Sequence, residues 1–322
     1  MTNGNDAALL AELTPTVTRL LERHLATTKE WFPHELVPWS RGRDVEPGES
    51  WDADAYPVAP GVRSALFVNL LTEDNLPYYF QTIDRMFGAD GPWGEWSRRW
   101  TAEEGRHSIV IRDYLTVTRA VDPVELERAR MHQVSHGVVP DPEQAVDGLV
   151  YVALQELATR IAHRTTGKML TDRAGYDVMA RVASDENLHY LFYRDLVSAS
   201  IEVNPSATVS AIERQVRLFE MPGTGIVDFA DHALAIAKAG IYDLSIHHDQ
   251  ILVPVVLRHW DVEALEGLTP DAEKDREKLV TRIGRIGRAG RRMVERWAEQ
   301  DARTAAAAEP GQAGHEPVAA AV

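Results

Sequence analysis

The sequence contains no cysteine, and this absence excludes several kinds of functional site at once. A chain without thiols cannot form disulfides, bind zinc or an iron–sulfur cluster through thiolates, or use a cysteine nucleophile. Any bound metal must therefore be held by oxygen and nitrogen atoms, which means carboxylates and imidazoles.

Basic residues are scarce relative to acidic ones, and long apolar runs are missing. The 322 residues include 34 Lys and Arg against 49 Asp and Glu, a formal net charge of -15. Nucleic-acid-binding proteins normally present a basic surface, so we expect no nucleic-acid partner. The longest apolar run, residues 251–257, is far shorter than the roughly 18 residues of a membrane span. Residues 1–13 lack the features of a secretory signal, so we expect a cytoplasmic protein with no membrane span.

Helical periodicity fills the chain between a few clusters of glycine and proline. These breakers concentrate over residues 38–61, and alternating β-branched runs typical of strands are scarce. Four helices are predicted over residues 62–87, with a break at Pro77, and over 93–120, 143–170 and 173–203. We therefore predict an all-α fold, with one domain over residues 1–300 and a disordered Ala/Gly/Pro-rich tail over residues 301–322.

A glutamate lies within the apolar stripe of each of the four predicted helices, namely Glu73, Glu104, Glu156 and Glu186. Burying an ionised carboxylate without a partner costs several kcal/mol, and four such groups close together repel one another. Bound cations would relieve this repulsion. The alternative is that these residues are ordinary polar positions on helix surfaces, making hydrogen bonds one turn apart. Their position on apolar stripes disfavours that alternative.

Two of the four glutamates are followed by a histidine at the third position, in Glu104-x-x-His107 and Glu186-x-x-His189. Glu73 precedes Glu104 by 31 residues, and Glu156 precedes Glu186 by 30. This repeated order matches the ferritin-like four-helix bundle, in which two helices supply one Glu each and two supply Glu-x-x-His. Carboxylate and imidazole donors favour iron or manganese. The pair His247-His248, beside Asp249, is instead interpreted as a solvated turn.

The residues around these positions resemble the soluble acyl-[acyl-carrier-protein] desaturases, most closely the actinobacterial members. The resemblance covers about residues 10–297 and is carried by four segments: TEDNLP at 72–77, WTAEEGRH at 100–107, QELAT at 155–159 and ASDENLH at 183–189. Gly105 and Ser108 depart from the Asn and Gly that many members have there. Neither position is a metal ligand, so these departures leave the metal site unaffected.

The resemblance implies a di-iron site with two iron ions per subunit. One iron would be held largely by Glu73, Glu104 and His107, and the other by Glu156, Glu186 and His189. Glu104 and Glu186 would bridge the two ions.

The resemblance also implies roles for residues around the iron site. Asp185 corresponds to a carboxylate that orients a ligand, and Trp31 to a buried tryptophan near His107. Thr159 corresponds to a threonine beside the oxygen-binding face, and Gly148 with Leu149 to the far end of the acyl channel. The alternatives are plain core packing for Trp31 and a helix threonine bonded to a backbone carbonyl for Thr159.

The function implied by the resemblance is the O2-dependent introduction of a cis double bond into a fatty acyl chain carried on acyl carrier protein. The protein would act as a homodimer, with electrons from a ferredoxin, because no cysteine or glycine-rich dinucleotide motif is present to bind a redox cofactor. Two alternatives remain open. Another ferritin-like oxidase, such as an N-oxygenase or ferroxidase, would turn over without acyl carrier protein, and a non-catalytic helical scaffold would bind no iron.

One segment of the acidic chain is strongly basic. Residues 274–296 contain nine of the 34 basic residues. Acyl carrier proteins and ferredoxins are typically acidic, so this segment is a candidate docking face for either of them. A solvated charged helix or a contact between subunits is the alternative.

Overall fold

The computed structural model describes residues 4–56 and 58–308, in which every regular element is helical. The α-helices are α1 Gly4–Thr27, α2 Pro33–Leu36, α3 Pro60–Glu73, α4 Leu76–Phe87, α5 Gly91–Thr118, α6 Pro123–His136, α7 Ala145–Met169, α8 Arg173–Val203, α9 Pro205–Leu218, α10 Phe229–Lys238, α11 Leu244–His247 and α12 Pro270–Ala308. Two 3₁₀ turns, Trp39–Arg41 and Ala53–Ala55, and a π-helical stretch, His248–His259, complete the set.

Four of these helices form the central bundle. Helix α7 lies along α8 and α3 contacts α5, while contacts of α5 with α8 and of α3 with α7 close the bundle. Helices α1, α4 and α9 pack on its outside, and α12 packs in turn on α9 and α11. The predicted all-α fold, a ferritin-like four-helix core with additional helices, is therefore confirmed.

Proline and aspartate set where several helices begin. Proline occupies the first turn of α3, α4, α5, α6 and α9, where its missing N–H leaves no hydrogen bond unmade. The Asp172 side chain accepts a hydrogen bond from the Ala174 N–H and so caps α8. The predicted break near Pro77 is present, but α3 already ends at Glu73 and α4 begins at Leu76. Glu73 is thereby the last residue of its helix.

Apolar packing encloses a polar layer in the middle of the bundle. On one side, Trp96 of α5 stacks on Phe192 of α8 with ring centroids 3.6 Å apart, and its Nε1 donates to the Tyr193 hydroxyl over 3.0 Å. On the other side, Ile111 of α5 and Val182 of α8 belong to a second buried cluster. Because α5 and α8 are fixed at both ends, the polar residues between these clusters have a defined position.

The last helix extends into the segment predicted as a tail. Helix α12 continues through residues 301–308, which were assigned to the tail, whereas residues 309–322 of that tail lie outside the described residues. Alanine has the highest helix propensity, which accounts for helix over the alanines at 305–308. In the described residues, no helix contains a segment sufficiently long and apolar to cross a membrane.

The interpretation of His247 as a solvated residue was wrong. Its side chain is buried, stacks on the Phe219 ring at 4.7 Å between centroids, and has Nδ1 2.8 Å from the Tyr242 hydroxyl. Burial, reinforced by the neighbouring His248, lowers the pKa of His247 to about 4. Adjacent polar residues suggested a solvated turn, but α11 is a four-residue helix that buries the side chain of His247.

We expect His247 to make the fold sensitive to acid. In the unfolded chain its pKa is near 6.5, so the unfolded state gains a proton as the pH falls below that value, while the folded state does so only near pH 4. His247→Phe should therefore reduce the loss of unfolding free energy between pH 7 and 4.5 by about 2 kcal/mol. Urea unfolding at the two pH values measures this change. The exposed control His136→Phe should behave as the unmodified chain does, and equal losses in both variants would contradict the prediction.

Candidate metal centre

Six acidic and histidine side chains predicted to hold metal meet inside the bundle. Glu73 ends α3, Glu156 comes from α7, and the two Glu-x-x-His pairs come from the middles of α5 and α8. All six side chains are buried. The i, i+3 spacing brings each Glu and its His to the same inner face of a helix.

The six residues form two groups that share both central glutamates. Glu73, Glu104, His107 and Glu186 make one group, and Glu104, Glu156, Glu186 and His189 make the other. Within each group, one potential ligand atom from every residue lies within 4.8 Å of all the others. The His107 Nδ1 atom is 3.4 Å from a Glu104 oxygen and 3.5 Å from a Glu186 oxygen. The geometry thus suits two adjacent cations with Glu104 and Glu186 between them.

The carboxylates of the cluster repel one another, and bound cations would relieve this repulsion. Burial raises the pKa of Glu186 well above its usual range, and the carboxylates of Glu104 and Glu156 add to the effect. Several potential metal-donor atoms that face the interior make no hydrogen bond with the described residues, among them His107 Nδ1 and Glu156 Oε2, while His189 Nδ1 lies 2.8 Å from Glu104 Oε1. Buried polar atoms are normally paired, so these unpaired donors fit coordination to a metal.

Asp185 and Trp31 lie together behind His107. The Trp31 Nε1 donates to Asp185 Oδ2 over 2.8 Å, and the same oxygen is 3.6 Å from His107 Nε2. Burial opposes ionisation of Asp185, but His107, Arg181 and Trp31 outweigh it and lower its pKa to about 2. An ionised carboxylate behind the imidazole fixes which ring nitrogen faces the cluster.

A second carboxylate, which the sequence analysis missed, lies behind His189. The Glu103 Oε2 atom is 2.9 Å from His189 Nε2 and 2.9 Å from His24 Nε2, and all three residues are buried. The other Glu103 oxygen pairs with Arg99 at 2.5 Å. A sequence signal existed, because an acidic residue directly precedes each Glu-x-x-His, Glu103 before Glu104 and Asp185 before Glu186.

We expect Glu103 to support metal binding through His189. Glu103→Gln leaves the size of the side chain unchanged but removes its charge, so metal affinity should fall roughly ten- to a hundredfold at the site that His189 serves. Titration of the metal-free protein with ferrous iron, followed by optical spectroscopy, measures the affinity of the two sites. The exposed Glu95→Gln on the same helix is the matched control. Unchanged affinity in both variants would contradict this role.

Two further side chains touch the ligand cluster. The His163 Nε2 atom, which the sequence analysis did not assign to the site, lies 2.9 Å from a Glu73 oxygen. The Thr159 hydroxyl lies 3.0 Å from Glu186 Oε2 and 3.1 Å from the backbone oxygen of Glu156. The hydroxyl can therefore donate either to the carboxylate or to its own helix, so both interpretations of Thr159 have a geometric basis.

Two mainly apolar cavities border the cluster. The first, here called the Met86 cavity, is lined by residues that include Met86, Trp100 and Gly148. Its Trp100 donates from Nε1 to a Glu156 oxygen over 3.0 Å. Leu149, the other predicted channel residue, is fully buried in the core and is not among the residues lining this cavity.

The second cavity is here called the Thr159 cavity. Its wall includes Thr72, Thr159, His163, Met221 and Tyr242. Thr159 and His163 contact Glu186 and Glu73, so these two side chains stand between this cavity and the ligands. Trp100 has the same position between the Met86 cavity and Glu156.

Comparison with known proteins identifies the family. A sequence model of the fatty acid desaturase family matches residues 5–309. The acyl-[acyl-carrier-protein] desaturase DesA1 of Mycobacterium tuberculosis is 42% identical over 284 residues, covering 85% of this chain and 84% of the relative. The chloroplastic stearoyl-[acyl-carrier-protein] 9-desaturase 6 of Arabidopsis thaliana is 32% identical over 71% of this chain and 62% of the relative.

A solved structure agrees with these sequence relatives. The X-ray structure of the acyl-ACP desaturase DesA2 from Mycobacterium tuberculosis superposes with a TM-score of 0.67 at 27% identity, covering 83% of this chain and 99% of that one. The buried cluster and the helical bundle define a ferritin-like protein with a carboxylate–histidine centre. The chain belongs to the fatty acid desaturase family.

Proposed function

We propose that this protein introduces a cis double bond into a fatty acyl chain carried on acyl carrier protein, in an O2-dependent reaction. One observation carries the proposal: a buried carboxylate–histidine cluster bordered by apolar cavities, in a chain of the desaturase family. The names of the relatives, which include a stearoyl-[acyl-carrier-protein] desaturase, support the choice of carrier and substrate class.

The residues that would hold the metal follow from the two groups of donors. Two iron ions would be held by Glu73, Glu104 and His107 and by Glu156, Glu186 and His189, with Glu104 and Glu186 shared. Bound iron supplies the oxygen-dependent removal of hydrogen from an unactivated C–H bond, which no side chain of the protein can accomplish by acid–base chemistry. Asp185 and Glu103 would hold the two imidazoles in place from behind.

The protein's contribution to the reaction is position and exclusion of water. The Met86 cavity and the Thr159 cavity would hold an extended or bent acyl chain so that one carbon–carbon bond lies beside the cluster. Their apolar walls exclude water from that place. Thr159 contacts Glu186 and faces its cavity, so its hydroxyl is positioned to hold a proton at the boundary between ligands and substrate.

The remaining features of the proposal concern assembly and electrons. We assign the electron supply to a ferredoxin-type donor, because the cysteine-free chain cannot ligate an iron–sulfur cluster through thiolates and has no glycine-rich dinucleotide motif. We further propose a cytoplasmic homodimer with one folded domain that covers residues 1–300.

Reconstitution tests this function. The protein is loaded with ferrous iron and supplied with ferredoxin, its reductase, NADPH, oxygen and acyl carrier proteins of graded chain length. Mass spectrometry should show an oxygen-dependent loss of two hydrogens and locate the new double bond. Turnover of other substrates without acyl carrier protein would favour the other ferritin-like oxidases, and failure to bind iron would favour the scaffold. A fully loaded protein that removes no hydrogen from any acyl chain would falsify the proposal.

A further inference from the structure

The C-terminal half of α12 presents arginines without acidic partners. Earlier in the helix, the basic side chains are neutralised, because Lys274, Arg276 and Lys278 pair with Asp271, Glu273 and Asp275. Further along, over residues 283–296, five exposed arginines have no ion pair with any carboxylate in the part of the chain that the structure describes: Arg291, and on another side of the helix Arg285, Arg288, Arg292 and Arg296. We call the last four of these residues the arginine face.

The four arginines share one side of the helix. At 3.6 residues per turn, their spacing confines them to less than a quarter of the helix circumference, over about 16 Å of its length. In a protein with a net charge of -15, this is a local concentration of positive charge. Such a surface attracts a negatively charged partner and speeds its association.

An apolar groove lies next to the arginine face. Helix α12 contributes the half-buried Ile286, Met293 and Trp297, and the facing wall includes Leu234 of α10 and Leu244 of α11. These two leucines are 45% and 44% exposed, which is high for large apolar side chains. We call this the α12 groove. The acidic residue on its wall, Asp243, is engaged in capping α11.

The α12 groove and the Thr159 cavity share two wall residues. Met221 and Tyr242 line both the groove and the Thr159 cavity, so these two side chains stand between them. The Tyr242 hydroxyl is held 2.8 Å from His247 Nδ1, which fixes the tyrosine at the boundary. On the inner side, the Thr159 cavity reaches Thr159 and His163 at the ligand cluster.

We propose that the arginine face and the α12 groove dock the acidic carrier protein, and that its acyl chain enters between Met221 and Tyr242. This inference rests on the proposed function and specifies where its partner binds. Charge alone would also suit an acidic electron donor, but such a donor needs no apolar passage. A second copy of this chain is itself acidic. A partner that delivers an apolar chain accounts both for the arginines and for the two apolar spaces on either side of Met221 and Tyr242.

A charge-reversal variant with a matched control tests the docking surface. The triple variant R285E/R288E/R292E is compared with R19E/R128E/R258E, which makes the same change of charge at exposed arginines of α1, α6 and the π-helical stretch. Affinity for acyl-loaded carrier protein is measured by fluorescence anisotropy on iron-loaded protein. The first variant should bind at least tenfold more weakly and with less dependence on salt. The control should stay within twofold of the unmodified protein.

Cross-linking gives a second measurement that does not remove any arginine. Because the chain has no native cysteine, Ala289→Cys creates a single attachment point for a photo-cross-linker beside the arginine face. Illumination should link it to the carrier protein, whereas the exposed Ala26→Cys on α1 should yield no link. This measurement stands even if the triple variant folds poorly.

The outcomes separate the docking site from the function itself. If the unmodified protein desaturates acyl chains but the arginine-face variant binds carrier protein as tightly as its control, the docking proposal is overturned and the function stands. The docking proposal is equally overturned if the variant loses affinity only for ferredoxin or changes only its oligomeric mass. Weaker carrier-protein binding with an unchanged iron content supports the proposal, whatever the turnover.

Discussion

Glu186→Gln is expected to abolish the function of the metal centre while making the metal-free protein more stable. Glu186 belongs to both groups of donors, so its loss affects both ions and not one alone. Glutamine keeps the shape of glutamate but cannot bridge two cations as an anion. We expect fewer than two iron ions per subunit and turnover reduced by more than about a hundredfold, the upper end of what losing a partner of a ligand costs.

The metal-free protein should become more stable in this variant because the pKa of Glu186 is raised in the folded state. Burial, with Glu104 and Glu156, raises the pKa of Glu186, so in the metal-free protein this group opposes folding above the pKa of the unfolded chain. Glu186→Gln removes that opposition. The metal-free variant should therefore unfold at a higher urea concentration than the metal-free unmodified protein at pH 7, and the difference should vanish toward pH 4.5.

The matched control for this experiment is Glu202→Gln, an exposed position on the same helix. It should leave iron content, turnover and urea unfolding unchanged. Full iron loading in Glu186→Gln would contradict the assignment of Glu186 as a shared ligand. A metal-free variant that is less stable than the unmodified protein would show that the cluster is held by hydrogen bonds and not strained by repulsion.

The sequence could predict the candidate ligands because helical periodicity reports which face of a helix is buried. Glu104 and His107 are one turn apart on an apolar stripe, so their common direction follows from local geometry alone. Their order along the chain then selected a bundle with known ligand positions. The period of a helix and the cost of burying charge are therefore sufficient to predict these ligands.

Residues that join the site from outside these stripes could not be predicted in this way. His24 reaches Glu103 across 79 residues, and the periodicity of α1 does not say which helix it packs against. His163 contacts Glu73 only because α3 ends where it does, and the periodicity of α7 does not predict that end. The α12 groove was missed for the same reason, because it forms between α9, α10, α11 and α12 and belongs to none of them alone.

The length of acyl chain that the protein accepts should depend on the packing of Met86 against Gly148. A Cβ atom added at Gly148 would lie 2.0 Å from Met86 Sδ and 2.8 Å from its Cε, so even alanine would displace the methionine side chain and would add a methyl group to the wall of the Met86 cavity. Gly148→Ala should thus shorten the space for the chain end, and Met86→Ala should lengthen it. The two substitutions are expected to change the accepted chain length in opposite directions, although the two residues are in contact.

Opposite shifts in chain-length preference could not result from a loss of stability. One methylene in an apolar pocket changes discrimination by roughly tenfold or more. We expect Gly148→Ala to lower, and Met86→Ala to raise, the ratio of kcat/KM for a longer over a shorter acyl chain by about tenfold. Gly284→Ala is the control, since a Cβ there meets nothing closer than 3.4 Å. A shift of this ratio in the same direction in both variants would mean that the acyl chain ends elsewhere. General loss of stability would lower kcat/KM for the longer and the shorter chain alike, and would not shift their ratio in opposite directions in the two variants.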